Sequence, residues 1–139
     1  MLKNAFKYSW PPLIIAIIIF YLSCLIPNDD IPEVGFEFFI PTDKIVHFLM
    51  YFGLAIVASF NYIYDKNGHI IILKLIVFAI LIPILYGGLI EIIQAKFFPP
   101  RSGDWYDFLA DTLGALATLP FSLWFRQYLL NKQIREQDI

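Results

Sequence analysis

Charged residues are scarce in this sequence. Asp, Glu, Lys and Arg make up 16% of it, whereas soluble domains carry roughly 25%. Hydrophobic residues make up 59%, and the mean hydropathy is +0.67. This composition excludes an ordinary soluble enzyme and indicates an integral membrane protein.

Cysteine is almost absent, and no basic domain or stripe is present. The single Cys24 cannot form a disulfide within the chain. Because basic residues are not clustered, nucleic acid is not an expected partner. The length of 139 residues has room for one membrane domain, residues 1–139, and none for a separate soluble catalytic module. Any chemistry must therefore be done by the membrane helices themselves.

Four apolar segments predict an all-α bundle of four transmembrane helices. They cover about residues 10–26, 44–64, 70–94 and 105–125. The second, with about 20 residues, is long enough to cross the hydrocarbon. Pro83 predicts a kink in the third.

The first segment has the organisation of a signal peptide, since Lys3 and Lys7 precede its apolar run. The run ends in Pro27 and Asn28 rather than in small residues. We therefore expect a first span that is retained in the protein, and a cleaved signal is the alternative.

Lysine and arginine are unevenly divided between the two ends of the predicted spans. Four spans place both termini on one side, and seven of the ten basic residues fall there. The positive-inside rule then predicts cytoplasmic termini. The seven are Lys3, Lys7, Lys66, Lys74, Arg126, Lys132 and Arg135, and the other three are Lys44, Lys96 and Arg101.

The stretch from Gly87 to Asp111 is too polar for a passive connector between two apolar segments. A charged side chain at the centre of a transmembrane helix costs roughly 2.5–3.5 kcal/mol. Such groups persist mainly where they pair, meet water or do chemistry. We therefore predict a polar site at the outer membrane face, where the second and fourth spans begin and the third ends. Its members are Asp43, Lys44, His47, Glu91, Gln94, Arg101, Asp104, Asp107 and Asp111.

His47 and Glu91 are the candidate base and acid of this site. Asp43 and His47 are four residues apart and share a helix face. Glu91 and Asp111 each lie about one turn inside an apolar segment, where an unpaired carboxylate is costly or takes up a proton. Asp104 is better explained as a helix-terminal acid that caps free N–H groups.

Arg101 is the expected counter-charge, because its planar guanidinium can hold a carboxylate or a phosphate by two hydrogen bonds. A carboxylate partner would close a structural network, whereas a phosphate partner would make a binding site. His47, Glu91 and the aspartates could also bind a hard divalent ion. No compact ligand motif supports that, so we predict no metal site, and no motif identifies a cofactor.

Small residues predict a close contact between the third and fourth spans. Ala110, Gly114 and Thr118 recur every four residues, which suits packing against Gly87 and Gly88. This contact would hold Asp107 and Asp111 beside Glu91.

The motifs together resemble the VanZ-like family of small bacterial membrane proteins. Asp111 and Thr118 depart from the family pattern, which has asparagine and commonly glycine at these positions. The resemblance implies a four-span bundle in the bacterial cytoplasmic membrane and an association with the cell envelope. The family is named after a member linked to teicoplanin resistance, but resistance is not carried over to this chain, since one fold serves many roles. The matching motifs are Asp43-Lys44-x-x-His47-Phe48, then Glu91-x-x-Gln94, then Arg101, Asp107 and Gly114.

Three hypotheses for the function follow. The first is a protein whose outward-facing pocket binds or acts on the headgroup of an envelope lipid or lipid-linked glycan, with Arg101 and Lys44 holding phosphate. The second is a non-catalytic scaffold or partner-binding protein whose charges form a closed network. The third is a proton-coupled transporter, which ranks last because the inner half of the spans has no charged residue beyond Lys74.

Overall fold

The computed structural model describes residues 10–26, 41–100 and 102–137, and within these ranges it is helical with no strand. The prediction of an all-α fold is confirmed. Its four helices are α1 (Trp10–Leu25), α2 (Thr42–Asp65), α3 (Ile72–Phe97) and α4 (Trp105–Gln137).

Three of the described helices are long and apolar enough to cross a membrane. They are α2 with 24 residues, α3 with 26 and α4 with 33. Helix α1 is also apolar but has only 16 residues, whereas a crossing takes roughly 20. Helices of the length and composition of a membrane span are therefore confirmed for the second, third and fourth predicted spans, whereas the described part of α1 is short for a span.

Proline, asparagine and glycine set the ends of α2 and α3. Pro41 directly precedes α2. Asn67 and Gly68 follow α2 with positive φ angles of 49° and 81°, a left-handed conformation that these two residue types tolerate. Helix α3 ends shortly before Pro99, because proline cannot continue a helix. Helix α2 is thus followed by a turn.

Helix α3 is not a uniform α-helix. Residues Ile76–Leu81 form wider π-helical turns shortly before Pro83. Proline lacks the N–H, and its ring clashes with the carbonyl four residues earlier, which belongs to Ala79. The wider turns accommodate this conflict. Wider turns are thus what the structure describes before Pro83, and the predicted kink itself stays a prediction.

Helix α4 ends at Gln137, well beyond the predicted end of the fourth span near residue 125. Its α-helical pattern is interrupted at Thr118, two residues before Pro120. The buried Thr118 hydroxyl donates to the carbonyl of Ala115 at 2.7 Å. The interruption follows from the N–H that Pro120 lacks.

The polar end of α4 contacts the turn between α2 and α3. Arg126 Nε donates to the carbonyl oxygen of Gly68 at 3.2 Å. Gln133 Nε2 donates to the carbonyl oxygen of Asn67 at 2.7 Å. These contacts explain why the helix continues after the apolar residues end.

Helix α2 packs against the other three helices. At Gly114 of α4, an added Cβ would collide with the backbone oxygen of Phe48 and lie 3.0 Å from the backbone nitrogen of Phe52. The backbones of α2 and α4 are therefore in close contact. The predicted partner of Gly114 is wrong, since Gly114 packs on α2. The predicted contact of α3 with α4 is present at Gly87 and Gly88, which lie against Asp111 and Phe108 of α4.

Candidate functional site

Polar side chains are buried at the end of the bundle where α2 and α4 begin and α3 ends. Five predicted site residues are at most 8% exposed. Asp43 is exposed, and Lys44 and Asp104 are half-buried. The five buried residues are His47, Glu91, Gln94, Asp107 and Asp111. We use the name polar cluster for Asp43, Lys44, His47, Glu91, Asp104, Asp107 and Asp111.

His47 pairs with Asp111. Its Nδ1 lies 2.9 Å from Asp111 Oδ1, and both side chains are buried. Asp43, its neighbour four residues away on α2, is more distant, with Oδ1 at 3.9 Å from His47 Nε2. The close packing at Gly114 brings α4 near enough for the longer-range partner.

Lys44 pairs with three carboxylates. Its Nζ donates to Asp104 Oδ2 at 2.6 Å, to Asp43 Oδ2 at 3.2 Å, and also to Asp107 Oδ1. An ammonium group has three N–H donors. In this arrangement each donor has a carboxylate partner, so Lys44 has no free donor for a phosphate.

Asp104 caps α4, as the sequence predicted. Its side chain accepts the backbone N–H of Tyr106 at 2.8 Å. The Lys44 ammonium beside it, together with this backbone donor, holds the pKa of the Asp104 carboxyl below its ordinary value of 3.8. Asp104 therefore links the start of α4 to the start of α2.

Glu91 is held by the backbone that leads into α4. Its Oε2 accepts the N–H of Asp104 at 2.8 Å. A Cβ at Gly103 would lie 2.8 Å from the backbone oxygen of Glu91, so the absence of a side chain at Gly103 lets this segment lie directly on α3. Gly103 was not identified from the sequence, because its role depends on which helix end lies beneath it.

Three buried oxygen atoms around His47 have no hydrogen-bond partner among the described residues. They are Glu91 Oε1, Asp111 Oδ2 and the hydroxyl of Tyr51. A Cβ at Gly87 would lie 2.8 Å from Asp111 Oδ2 and 3.2 Å from the Tyr51 ring. Gly87 therefore provides the space in which the Asp111 carboxylate and Tyr51 sit. Tyr51 could be anticipated, since it follows His47 by one helical turn.

Gln94 has a different partner. Its Nε2 donates to the carbonyl oxygen of Ser23 at 2.6 Å. Ser23 lies in the π-helical turns at the end of α1, residues Tyr21–Leu25. The described contact of Gln94 thus joins α3 to α1, and it gives Gln94 a structural role.

Arg101, the predicted counter-charge, lies outside the described residues, so its pairing stays a prediction. Within the described ranges, Lys44 is the lysine that pairs with three of the cluster's five carboxylates, those of Asp43, Asp104 and Asp107. Whether Arg101 holds a carboxylate or a phosphate is the question that separates a structural network from a binding site.

Two sets of side chains in the polar cluster could hold a metal ion. Within each set, one ligand atom per residue lies within 4.8 Å of the others. Only the second set is buried in all its members. The first set is Asp43, His47 and Asp107, and the second is His47, Glu91 and Asp111.

A groove of about 670 Å³ lies elsewhere, between α1, α2 and α3. Its walls are mostly apolar, and Lys66 and Lys74 lie at its polar end. None of the predicted site residues lines it. The candidate site is therefore defined by the contacts of the polar cluster.

One comparison with known proteins identifies a family. A family model described as VanZ/LLP1 matches residues 5–126, a range that contains every predicted site residue. This match confirms the resemblance drawn from the motifs at Asp43, Glu91 and Arg101. No curated protein and no solved structure matches the chain.

Proposed function

The chain belongs to the VanZ/LLP1 family, and from that premise we propose that it binds the headgroup of a cell-envelope lipid or lipid-linked glycan. The single observation in support is the burial of His47, Glu91 and Asp111, from three helices, at one end of the bundle. Ionisable groups within membrane helices mark substrate or ion sites by default. The chain would then be one multi-pass domain of the bacterial cytoplasmic membrane.

We place the polar cluster at the outer face, with both termini in the cytoplasm and α1 as a fourth span. The excess of Lys and Arg at the opposite end supports this orientation. A fluorescent protein that folds only in the cytoplasm should report signal when fused after Gln137. The same fusion inserted at Ser102, beside the cluster, should report none. The reverse pattern would contradict the orientation.

Arg101 is assigned the anionic part of the headgroup, because the three donors of Lys44 already meet carboxylates. An arginine suits a phosphate through two parallel hydrogen bonds. His47 and Glu91 would be the base and acid if the headgroup is also chemically changed. Both have ligand atoms within 4.8 Å of each other and of Asp111.

Thermal unfolding in detergent tests the binding proposal. Undecaprenyl phosphate and phosphatidylglycerol should raise the Tm of the wild type, whereas the zwitterionic phosphatidylcholine should not. Arg101→Ala should remove the shift, and Arg135→Ala, at the exposed far end of α4, should retain it. Headgroup binding at this site would be refuted if the anionic lipids raised the Tm of both variants equally, or did not raise the Tm of the wild type.

The three carboxylate partners of Lys44 favour one alternative, a non-catalytic scaffold with a closed charge network. In that case Glu91→Gln and His47→Asn lower the Tm, and no headgroup changes it. If the site instead performs acid–base chemistry, the same two variants keep headgroup binding but abolish turnover of the bound lipid. Mass spectrometry of the lipid after incubation distinguishes these outcomes.

A further inference from the structure

We propose that His47, Glu91 and Asp111 form a binding site for a divalent transition metal ion of the Zn²⁺ type. One nitrogen of His47 and one oxygen of each carboxylate lie within 4.8 Å of one another. The three residues come from α2, α3 and α4, so folding assembles ligands that are 44 and 20 positions apart in the sequence. This separation explains why the three ligands form no compact sequence motif.

The donor set fits this class of ion. Zn²⁺ binds histidine nitrogen and carboxylate oxygen at about 2.0–2.2 Å. A site with imidazole favours a transition metal over Mg²⁺ or Ca²⁺, which prefer oxygen ligands alone. Three protein ligands leave the fourth position of a tetrahedral Zn²⁺ open for water or another oxygen ligand.

Unpartnered oxygen atoms point independently to a ligand in this place. Asp111 is fully buried, and its Oδ2 has no partner among the described residues. Glu91 Oε1 is in the same situation, while its Oε2 is fixed by the N–H of Asp104 at 2.8 Å. A buried carboxylate oxygen without a hydrogen bond is costly. A bound cation removes this cost from both side chains at once.

The charges favour this set over the other one. In the set of Asp43, His47 and Asp107, both carboxylates already pair with the Lys44 ammonium. Glu91 and Asp111 have no lysine or arginine partner within the described ranges, and His47 lies against Asp111 at 2.9 Å. Two buried carboxylates with one imidazole are thus the part of the polar cluster that has no lysine or arginine partner among the described residues.

This inference deepens the proposed function and rests on it in one respect, since the ion would hold the anionic headgroup. A cluster rich in carboxylates repels a phosphate, whereas a bound Zn²⁺ with an open position attracts one of its oxygens. Metal binding itself does not need the headgroup and can be measured without lipid.

Metal content of the purified protein tests the inference. The protein, in detergent and without an affinity tag, is stripped with a chelator and dialysed against Zn²⁺. We expect about one bound Zn²⁺ per chain and a higher Tm. His47→Asn should weaken Zn²⁺ binding by more than about tenfold, since loss of a partner outside the metal's own ligands already costs about 10- to 100-fold. His69→Asn is the matched control, because His69 is exposed at the other end of α2 and should bind normally.

Glu91→Gln is a second test of the site, which can be used if His47→Asn fails to fold. Its amide oxygen can still accept the Asp104 N–H, so the fold is retained while the charged ligand is lost. Co²⁺ bound to the stripped wild type should also give the visible absorption bands of a nitrogen and oxygen site. A folded wild type that binds neither ion, or a folded Glu91→Gln that binds Zn²⁺ as well as wild type, would overturn the inference.

A headgroup titration separates this result from the proposed function. Zn²⁺ binding without any Tm shift by undecaprenyl phosphate supports the metal site and refutes the headgroup. The opposite result is a protein that binds no Zn²⁺ and whose Tm is raised by undecaprenyl phosphate to the same extent with and without the chelator. It overturns the metal site and leaves the proposed function standing.

Discussion

Replacing Gly114 by alanine tests the contact between α2 and α4 that brings the polar cluster together. The added Cβ would collide with the backbone oxygen of Phe48 and lie 3.0 Å from the Phe52 nitrogen. Both obstacles are backbone atoms, so the helices must separate. Overpacking costs about 1–3 kcal/mol, while alanine gains roughly 0.5–1 kcal/mol over glycine within a helix. We expect a net loss in the free energy of unfolding of about 1 kcal/mol, with an upper limit of about 2.5 kcal/mol.

Gly53→Ala is the matched control, since no atom lies within 4 Å of its added Cβ. It should gain about 0.5–1 kcal/mol. Unfolding of both variants in mixed detergent micelles, followed by circular dichroism, gives the two differences against wild type. Equal stability of the two variants, or a stabilising Gly114→Ala, would refute the packing described at this contact.

Three further changes test the charges and the space around the cluster. Lys44→Met leaves its carboxylate partners without a cation and should cost about 1–3 kcal/mol. Lys66→Met removes an exposed pair and should cost much less than Lys44→Met; equal losses would contradict the role of Lys44. Lys44 lowers the pKa of Asp104 in the folded protein, so the stabilisation is complete above pH 3.8 and is lost as the pH falls through the lower folded value. The Tm of wild type should therefore fall more on acidification below pH 3.8 than the Tm of Lys44→Met. Gly87→Ala places a Cβ 2.8 Å from Asp111 Oδ2 and 3.2 Å from the buried Tyr51 ring; it should displace the carboxylate and weaken Zn²⁺ binding, and unchanged binding would contradict the placement of Asp111.

The helices could be predicted because lipid imposes long apolar runs with every backbone group bonded internally. Hydropathy reports where lipid ends, however, and not where a helix ends. The end of the fourth span was therefore predicted near residue 125, although α4 continues to Gln137. Its polar end is held by contacts of Arg126 and Gln133 with the α2–α3 turn. Such contacts depend on how the turn lies in space, which no local pattern records.

Membership of the site could be read from polar residues within apolar segments, but the pairing could not. The spacing along α2 predicts Asp43 as the neighbour of His47, whereas the closer partner is Asp111, 64 residues away in the sequence. Local spacing decides which residues share a helix face, and the packing of one helix on another decides what lies opposite. Here the small residue Gly114 was recognised, but the helix that it contacts was not.

Asp111 decides between a closed network and a metal ligand. Its Oδ1 lies 2.9 Å from His47 Nδ1, and its Oδ2 has no described partner. Asp111→Asn keeps the size and an oxygen that can accept from His47. If Asp111 only positions His47, the asparagine oxygen still accepts from His47, and the variant binds Zn²⁺ as well as wild type. If Asp111 is a ligand, Zn²⁺ affinity falls, because the site loses a charged ligand. The metal-free variant then keeps or gains stability, because a buried amide costs less than a buried carboxylate.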